Sequence, residues 1–192
     1  MSRILVLVGH PRHDSLCTAM AEQYAGAATA QGAEVRLVHL ADLAFDPILR
    51  EGFGGALEPD LQQVQRDIAW AEHLVLVFPI WWANVPALLK GFCDRVFLPG
   101  FAFRYQSGSA LPLKLLKGRT ARLLITMDSP PWYYRWFAGA PADRAMIGGT
   151  LEFCGISVKG RHHFGSVRGS TEPKRKAWLA RAAELGRGDG GR

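Results

Sequence analysis

The sequence predicts a doubly wound α/β sandwich made of one domain, and three observations lead there. Segments of strand and helix character alternate along the whole chain. The run Leu74-Val75-Leu76-Val77-Phe78 is continuously apolar, as expected of a strand buried on both faces of a parallel sheet. Pro79 ends that run, because proline cannot donate to a ladder, and Pro86 then pre-sets the backbone for a helix.

The elements follow in order. Arg3 to Val8 reads as the first buried strand. Ser15 caps a helix in which Leu16, Met20, Tyr24 and Ala27 share one stripe, and Gly32 stops it. Glu34 to Leu40 is a second, partly alternating strand, and Asp46-Pro47 through Gly54-Gly55 is loop. Pro59 opens a helix with Leu61, Val64, Ile68 and Ala71 at helical spacing. The helix after the Leu74 strand places Leu88, Phe92 and Val96 on one face. Thr120 to Met127 is the fourth strand and Ile156 to Phe164 the fifth. Between them lie an irregular loop rich in Pro, Trp and Tyr and a helix from about Asp143 to Phe153. Lys174 to Leu185 is the closing helix, so the domain is expected to span 1–186, with 187–192 a disordered tail.

Hydrophobic residues make up 48% of the 192, enough for one sizeable core. A signal peptide is not expected, since Ile4 to Val8 is short and His10-Pro11-Arg12-His13-Asp14 is polar. No apolar run approaches membrane-spanning length, so membrane insertion is not expected. Cys17, Cys93 and Cys154 are odd in number and form no CxxC pair, which reads as reduced, mostly buried thiols in a cytoplasmic protein. Cys17, in the first turn of the helix after Ser15, is expected to be the most reactive of them, because the helix dipole lowers a thiol's pKa. The net charge of +6 leans toward anionic partners. No basic stripe interleaves with aromatics, which argues against nucleic acid, and the clusters Lys114-Lys117-Arg119-Arg122 and Lys174-Arg175-Lys176 read as solvated faces.

In a parallel sheet, ligands lie outside the carboxyl ends of the strands. The first such loop is Gly9-His10-Pro11-Arg12-His13-Asp14-Ser15. The helix N-terminus behind it offers N–H groups and a positive dipole end to a phosphate, with Ser15, His10 and Arg12 as added donors. Asp14 and Ser15 serve equally well as simple caps. The loop has neither GxGxxG nor GxxxxGK[ST], which argues against an ordinary NAD dehydrogenase or an NTPase. In Ile80-Trp81-Trp82-Ala83, two adjacent indoles cannot both point inward from an extended backbone, so one is expected to face a flat aromatic ligand, core packing being the alternative. The aromatics of Trp132-Tyr133-Tyr134-Arg135-Trp136-Phe137 suit a pocket lid, a dimer contact or plain packing. His162-His163 point to opposite faces of a strand and have no third ligand at suitable spacing, so no metal is expected. The absence of GxSxG counts against a hydrolase.

These residues, taken together, resemble the flavodoxin-like NAD(P)H:quinone oxidoreductases, the group of mammalian quinone reductase and the ancillary subunits of bacterial potassium efflux systems. The likeness spans nearly the whole chain. It rests on Gly9-His10-Pro11 with Ser15, on Phe45-Asp46-Pro47, and on Phe78-Pro79-Ile80-Trp81-Trp82 running into Val85-Pro86-Ala87-Leu88-Leu89-Lys90-Gly91. Asp94-Arg95-Val96-Phe97, Gly100-Phe101-Ala102-Phe103 and Phe153-Cys154-Gly155 continue it. The resemblance implies a five-stranded parallel sheet in the order 2-1-3-4-5 with helices on both faces, a tightly bound flavin, and a homodimer with its active sites at the subunit boundary. By position it implies that His10, Ser15, Leu16 and Cys17 hold the flavin phosphate. Pro79, Ile80, Trp81, Trp82 and Ala83 would lie along the isoalloxazine, and Thr126, Met127, Asp128 and Ser129 would contact the far edge of the ring.

One departure stands out. Where these reductases usually carry Thr-Thr-Gly-Gly, this chain has Thr126-Met127-Asp128-Ser129-Pro130-Pro131. The prolines remove donors, and Asp128 puts a carboxylate where neutral donors would favour a reduced, anionic flavin. Of the family's Tyr and His proton relay, Tyr133 or Tyr134 matches the tyrosine and no histidine matches its partner. The expected activity is ping-pong, two-electron reduction of quinones or similar acceptors by NAD(P)H, with FMN as cofactor and FAD as the alternative. A regulatory flavin-binding subunit docked peripherally on a membrane transporter is the rival reading.

Overall fold

The computed structural model describes residues 1–109 and 111–191. In chain order the elements are β1 (Arg3–Val8), α1 (Leu16–Ala30), β2 (Glu34–His39), α2 (Pro59–Trp70), β3 (His73–Pro79) and α3 (Ala87–Val96). The short strands β4 (Phe103–Arg104) and β5 (Leu113–Lys114), then β6 (Thr120–Thr126), α4 (Pro131–Trp136) and α5 (Pro141–Met146) come next. A π-helical turn (Ile147–Leu151), α6 (Glu152–Cys154), β7 (Ser157–Phe164) and α7 (Glu172–Gly190) complete the fold. The main sheet runs β2-β1-β3-β6-β7 with every pairing parallel. This is the expected 2-1-3-4-5 order once the separate β4–β5 hairpin is set aside. Its two-residue strands are too short to leave a periodic signal in the sequence.

Alternation along β1 divides the core. Ile4, Val6 and Val8 pack beneath α1 and α7, while Leu5 and Leu7 pack toward α2 and α3. Both faces of β1 and β3 are covered, which is why these strands read as continuous apolar runs.

Three local expectations are corrected. The segment after β6 is not irregular: Pro130 takes the N-cap and Pro131 the first turn of α4, where a missing N–H costs nothing. The helix expected over 143–153 is interrupted by the π turn that contains Gly148 and Gly149. The tail expected over 187–192 is helix through Gly190, while Arg192 lies outside the described residues. Glycines argue against helix locally, but here they permit tertiary contact. A Cβ at Gly186 or Gly190 would collide with the carbonyl of Tyr24 or Ala28 on α1. Asp189, between them, accepts hydrogen bonds from Tyr24 Oη (2.7 Å) and Arg122 Nη2 (2.9 Å). Arg122 is therefore buried in an ion pair rather than on a solvated face.

Candidate functional site

The carboxyl ends of β1, β3 and β6 open into a groove of about 730 Å³. At one end stands the first turn of α1. Ser15 has extended backbone angles (φ −126°, ψ 154°), and its Oγ accepts the N–H of Thr18 at 3.1 Å. Ser15 is thus a true N-cap. The cap leaves the N–H groups of Leu16 and Cys17 with no protein acceptor among the described residues. The first turn carries no acidic residue, so the dipole there is not neutralised. Arg12 and Arg175 line the same groove, the latter contributed by α7. Free donors, a helix dipole and two guanidinium groups, with Arg12 Nε 3.6 Å from Asp14, give this end of the groove the chemistry an anion such as phosphate requires.

His10 lies between this end and the next part of the wall. Its Nδ1 accepts the N–H of Arg12 at 3.1 Å, and its ring meets Trp81 edge-on at 5.5 Å. Burial holds its pKa below the ordinary histidine value, and the nearby Arg12 charge pushes the same way. A hydrogen bond to the Arg12 backbone opposes that shift, and together with Trp81 it fixes the ring's orientation.

Cys17 is brought to the groove as expected, but its thiol is 1% exposed and lies 3.3 Å from Thr126 Oγ1. Burial pushes its pKa up to about 12, which overrides the dipole expected to make it reactive. Cys17 presents its backbone N–H, not its thiol, to the groove. Iodoacetamide at pH 7.5 should leave all three buried thiols of the native protein unmodified and alkylate them after unfolding. Fast native labelling of Cys17, read by peptide mass, would contradict this geometry.

Ile80 extends β3 through a 2.7 Å hydrogen bond to the carbonyl of Thr126. Trp81 and Asn84 then exchange two backbone hydrogen bonds of 2.9 Å, closing a turn with Trp82 and Ala83 at its centre. Both have positive φ, 51° and 59°, where Asn-Gly is the low-strain choice. Such strain in non-glycine residues of order 1–3 kcal/mol each is typical of ligand-contacting loops. Trp81 is 44% exposed and Trp82 fully so. Neither indole is core.

A second cavity of about 440 Å³ adjoins the groove and shares Ile80, Trp81 and Asp128 with it. Trp82, Ala83, Ser129 and Tyr133 form most of the remaining wall of this vestibule. The Thr126–Ser129 segment is split in use. Thr126 and Met127 are buried, and the N–H of Met127 donates to Phe164 O at 2.9 Å. Asp128 is exposed, its Oδ1 accepting the N–H of Arg168 at 2.9 Å. Gly165 lets the segment lie against the end of β7, since a Cβ there would collide with Pro131 and Ser129.

The two tyrosines differ. Tyr134 is 2% exposed, and its hydroxyl donates to Asp143 Oδ1 (3.2 Å) while accepting the N–H groups of Ala142 and Asp143 (3.1 and 3.3 Å). His163 Nε2 lies 3.0 Å from the other oxygen of Asp143. Burial and the Asp143 charge push the Tyr134 phenol up to about 12. With its hydroxyl bonded to Asp143 and to two backbone N–H groups, Tyr134 ties α4 to α5 while its side chain also lines the vestibule. Tyr133 is half-exposed, stacks on Phe137 and faces the vestibule, so it keeps the expected candidacy. Asp143 and His163 have no signal in the sequence, because only packing brings them to Tyr134.

Comparison with known proteins agrees with this architecture. The profile described as a flavodoxin-like fold matches residues 2–185. A Haemophilus influenzae protein named an uncharacterized NAD(P)H oxidoreductase is 30% identical over 187 residues, covering 94% of this chain and 92% of that one. NAD(P)H dehydrogenase (quinone) 1 of Cavia porcellus is 30% identical over 185 residues, covering 82% of this chain and 66% of its own length. The solved NAD(P)H:quinone oxidoreductase from Methanothermobacter marburgensis superposes with a TM-score of 0.82 at 23% identity, covering 97% and 98% of the two chains. With 2–185 matched and two relatives at this identity, the chain belongs to the flavodoxin-like fold family.

Proposed function

We propose that this protein is a flavin-dependent NAD(P)H oxidoreductase that reduces quinones or similar small acceptors by two electrons. The carrying observation is the continuous path from the unpaired N–H groups of Leu16 and Cys17 to an aromatic vestibule at the ends of β3 and β6. The names of the relatives at 30% identity support the same reaction class.

The residues present fit a flavin. The groove volume falls within the roughly 300–1,000 Å³ of cofactor and ligand sites. Leu16, Cys17, Ser15, Arg12 and Arg175 would hold phosphate. Ile80 and Trp81 would flank the ring, with Asp128 and Ser129 toward its edge. Flavin, when bound, supplies the hydride relay between NAD(P)H and the acceptor. This chain binds and orients: His10 buttresses Trp81, and Tyr133 can hold a proton beside an acceptor in the vestibule. A single vestibule used in turn by NAD(P)H and acceptor gives ping-pong kinetics. FMN is our first reading and FAD the alternative. Buried, free thiols suit a reducing compartment such as the cytoplasm, and no helix among the described residues is long and apolar enough to cross a membrane.

Homodimerisation is part of the proposal. Trp132, Tyr133, Trp136 and Phe137 are all at least 50% exposed around α4, beside the vestibule, with Arg135 among them. Aromatics and arginine of this kind favour a protein interface. The same surface supports the rival, a regulatory subunit bound to a transport partner. The protein should purify yellow or take up FMN on titration, and should then consume NAD(P)H rapidly when a simple quinone is added. Failure to bind either FMN or FAD would sink the proposal, and tight flavin binding without turnover would favour the rival.

A further inference from the structure

The groove is lined by charges of both signs, whereas the vestibule is lined by a single negative one, Asp128, which the two cavities share. Arg12 and Arg175 line the groove beside the free end of α1, together with Asp14 and Glu22. The vestibule walls include Trp81, Trp82, Asp128, Ser129 and Tyr133, and Asp128 is the one charged residue lining it. Its carboxylate takes one hydrogen bond, from the backbone N–H of Arg168, and no basic side chain pairs with it among the described residues. Around it stand the faces and edges of two indoles and a phenol, all at least 44% exposed. The two indoles are held there by the closed turn at 81–84.

Aromatic walls attract cations through the ring quadrupole, indole most strongly. An unpaired carboxylate at the same opening adds Coulombic attraction for a cation and repulsion for an anion. We infer that the vestibule selects planar aromatic acceptors that carry a positive charge over anionic ones, and that Asp128 sets this preference. The inference rests on the proposed function for the word acceptor; the charge preference itself is a property of the vestibule and is measurable without turnover. The departure Met127-Asp128-Ser129 thereby acquires a physical use, since it replaces a neutral edge with a charge filter.

The test is equilibrium binding to the purified protein of three matched planar probes: N-methylquinolinium, quinoline and quinoline-6-carboxylate. Affinity is read by calorimetry at pH 7.5 and low salt. The cation should bind roughly tenfold more tightly than the anion, the scale of one close, partly solvated charge pair. Asp128→Asn keeps an oxygen for the Arg168 N–H and removes only the charge. In that variant the cation-to-anion ratio should fall to within about twofold, as it should for wild type at 1 M salt, where the Debye length is about 3 Å. An unchanged ratio in the variant, a wild-type preference for the anion, or no binding of any probe would each overturn the inference. Flavin content and NAD(P)H oxidation on the same preparations report separately on the proposed function, so loss of those with the ratio intact would remove that reading alone.

Discussion

Asp189→Ala should lower the melting temperature by roughly 6–20 °C, although the residue stands near the end of the last helix and far in sequence from the site. Asp189 is 2% exposed and joins α7 to both α1 and the sheet. Its loss strands the guanidinium of Arg122, itself 9% exposed, and leaves Tyr24 Oη without an acceptor. His73 Nε2, 3.3 Å from the same carboxylate, loses a polar neighbour. Breaking a buried pair from one side costs about 3–5 kcal/mol, and a domain of this size moves about 2–4 °C per kcal/mol. The control is the double variant Asp189→Ala/Arg122→Met, which removes the stranded charge and should recover much of the loss. Calorimetric scans in which the double variant is as unstable as the single one would refute the buried-charge explanation.

The same cluster gives a pH dependence with a definite sign. Burial alone would raise the pKa of Asp189, but hydrogen bonds from Arg122 and Tyr24 and the nearness of His73 hold it far below the carboxylate range. Its stabilisation is complete above the unfolded carboxylate pKa of about 3.9 and fades only as pH falls through the lower folded value. His162 behaves differently. Its Nε2 lies 2.8 Å from Arg122 Nη1, and burial, then the charges of Arg122 and Arg181, lower its pKa from 6.5 to about 4. Between those values the unfolded chain binds a proton that the folded one refuses, so stability falls as pH falls through that window. His162→Gln, which keeps an acceptor for Arg122, should flatten the plot of melting temperature against pH between about 6.5 and about 4.

Leu16→Pro should weaken flavin binding roughly 10- to 150-fold while leaving the fold intact. Leu16 is the first residue of α1, and its N–H has no protein acceptor among the described residues. Proline is tolerated at that position because it removes an N–H the helix does not use. Ser15 before it is already extended, as a residue preceding proline must be. The substitution therefore deletes one donor to phosphate, a charge-assisted bond worth about 1.5–3 kcal/mol. Leu16→Ala controls for the lost side-chain packing and should retain affinity within a few-fold. Fluorescence titration of apo protein with FMN measures wild type and both variants. Wild-type affinity in Leu16→Pro would mean that the phosphate does not sit on α1.

The strand order is what the family resemblance implies, whereas the alternation of strands and helices, the cap at Ser15, the apolar strands and the placing of Trp81 at the carboxyl end of β3 are legible in the sequence. Each depends on neighbours within a few residues: a turn of α1, a strand stopped by Pro79, a helix begun at Pro59 or Pro86. Local periodicity and capping chemistry determine such features because their energies are set by short stretches of backbone. What only the tertiary structure decides depends on partners distant in the chain. In the sequence Tyr133 and Tyr134 match the relay tyrosine equally well, but Asp143 and the backbone of α5 close over Tyr134. Cys17 reads as a thiol activated by a helix end, but packing beside Thr126 takes it out of water. The end of the chain reads as frayed, whereas close approach of Gly186 and Gly190 to α1 and the burial of Asp189 against Arg122 make it the last turns of a docked helix. Desolvation and long-range charge pairing reverse local tendencies because they act through what a side chain is packed against, and only the folded chain specifies that.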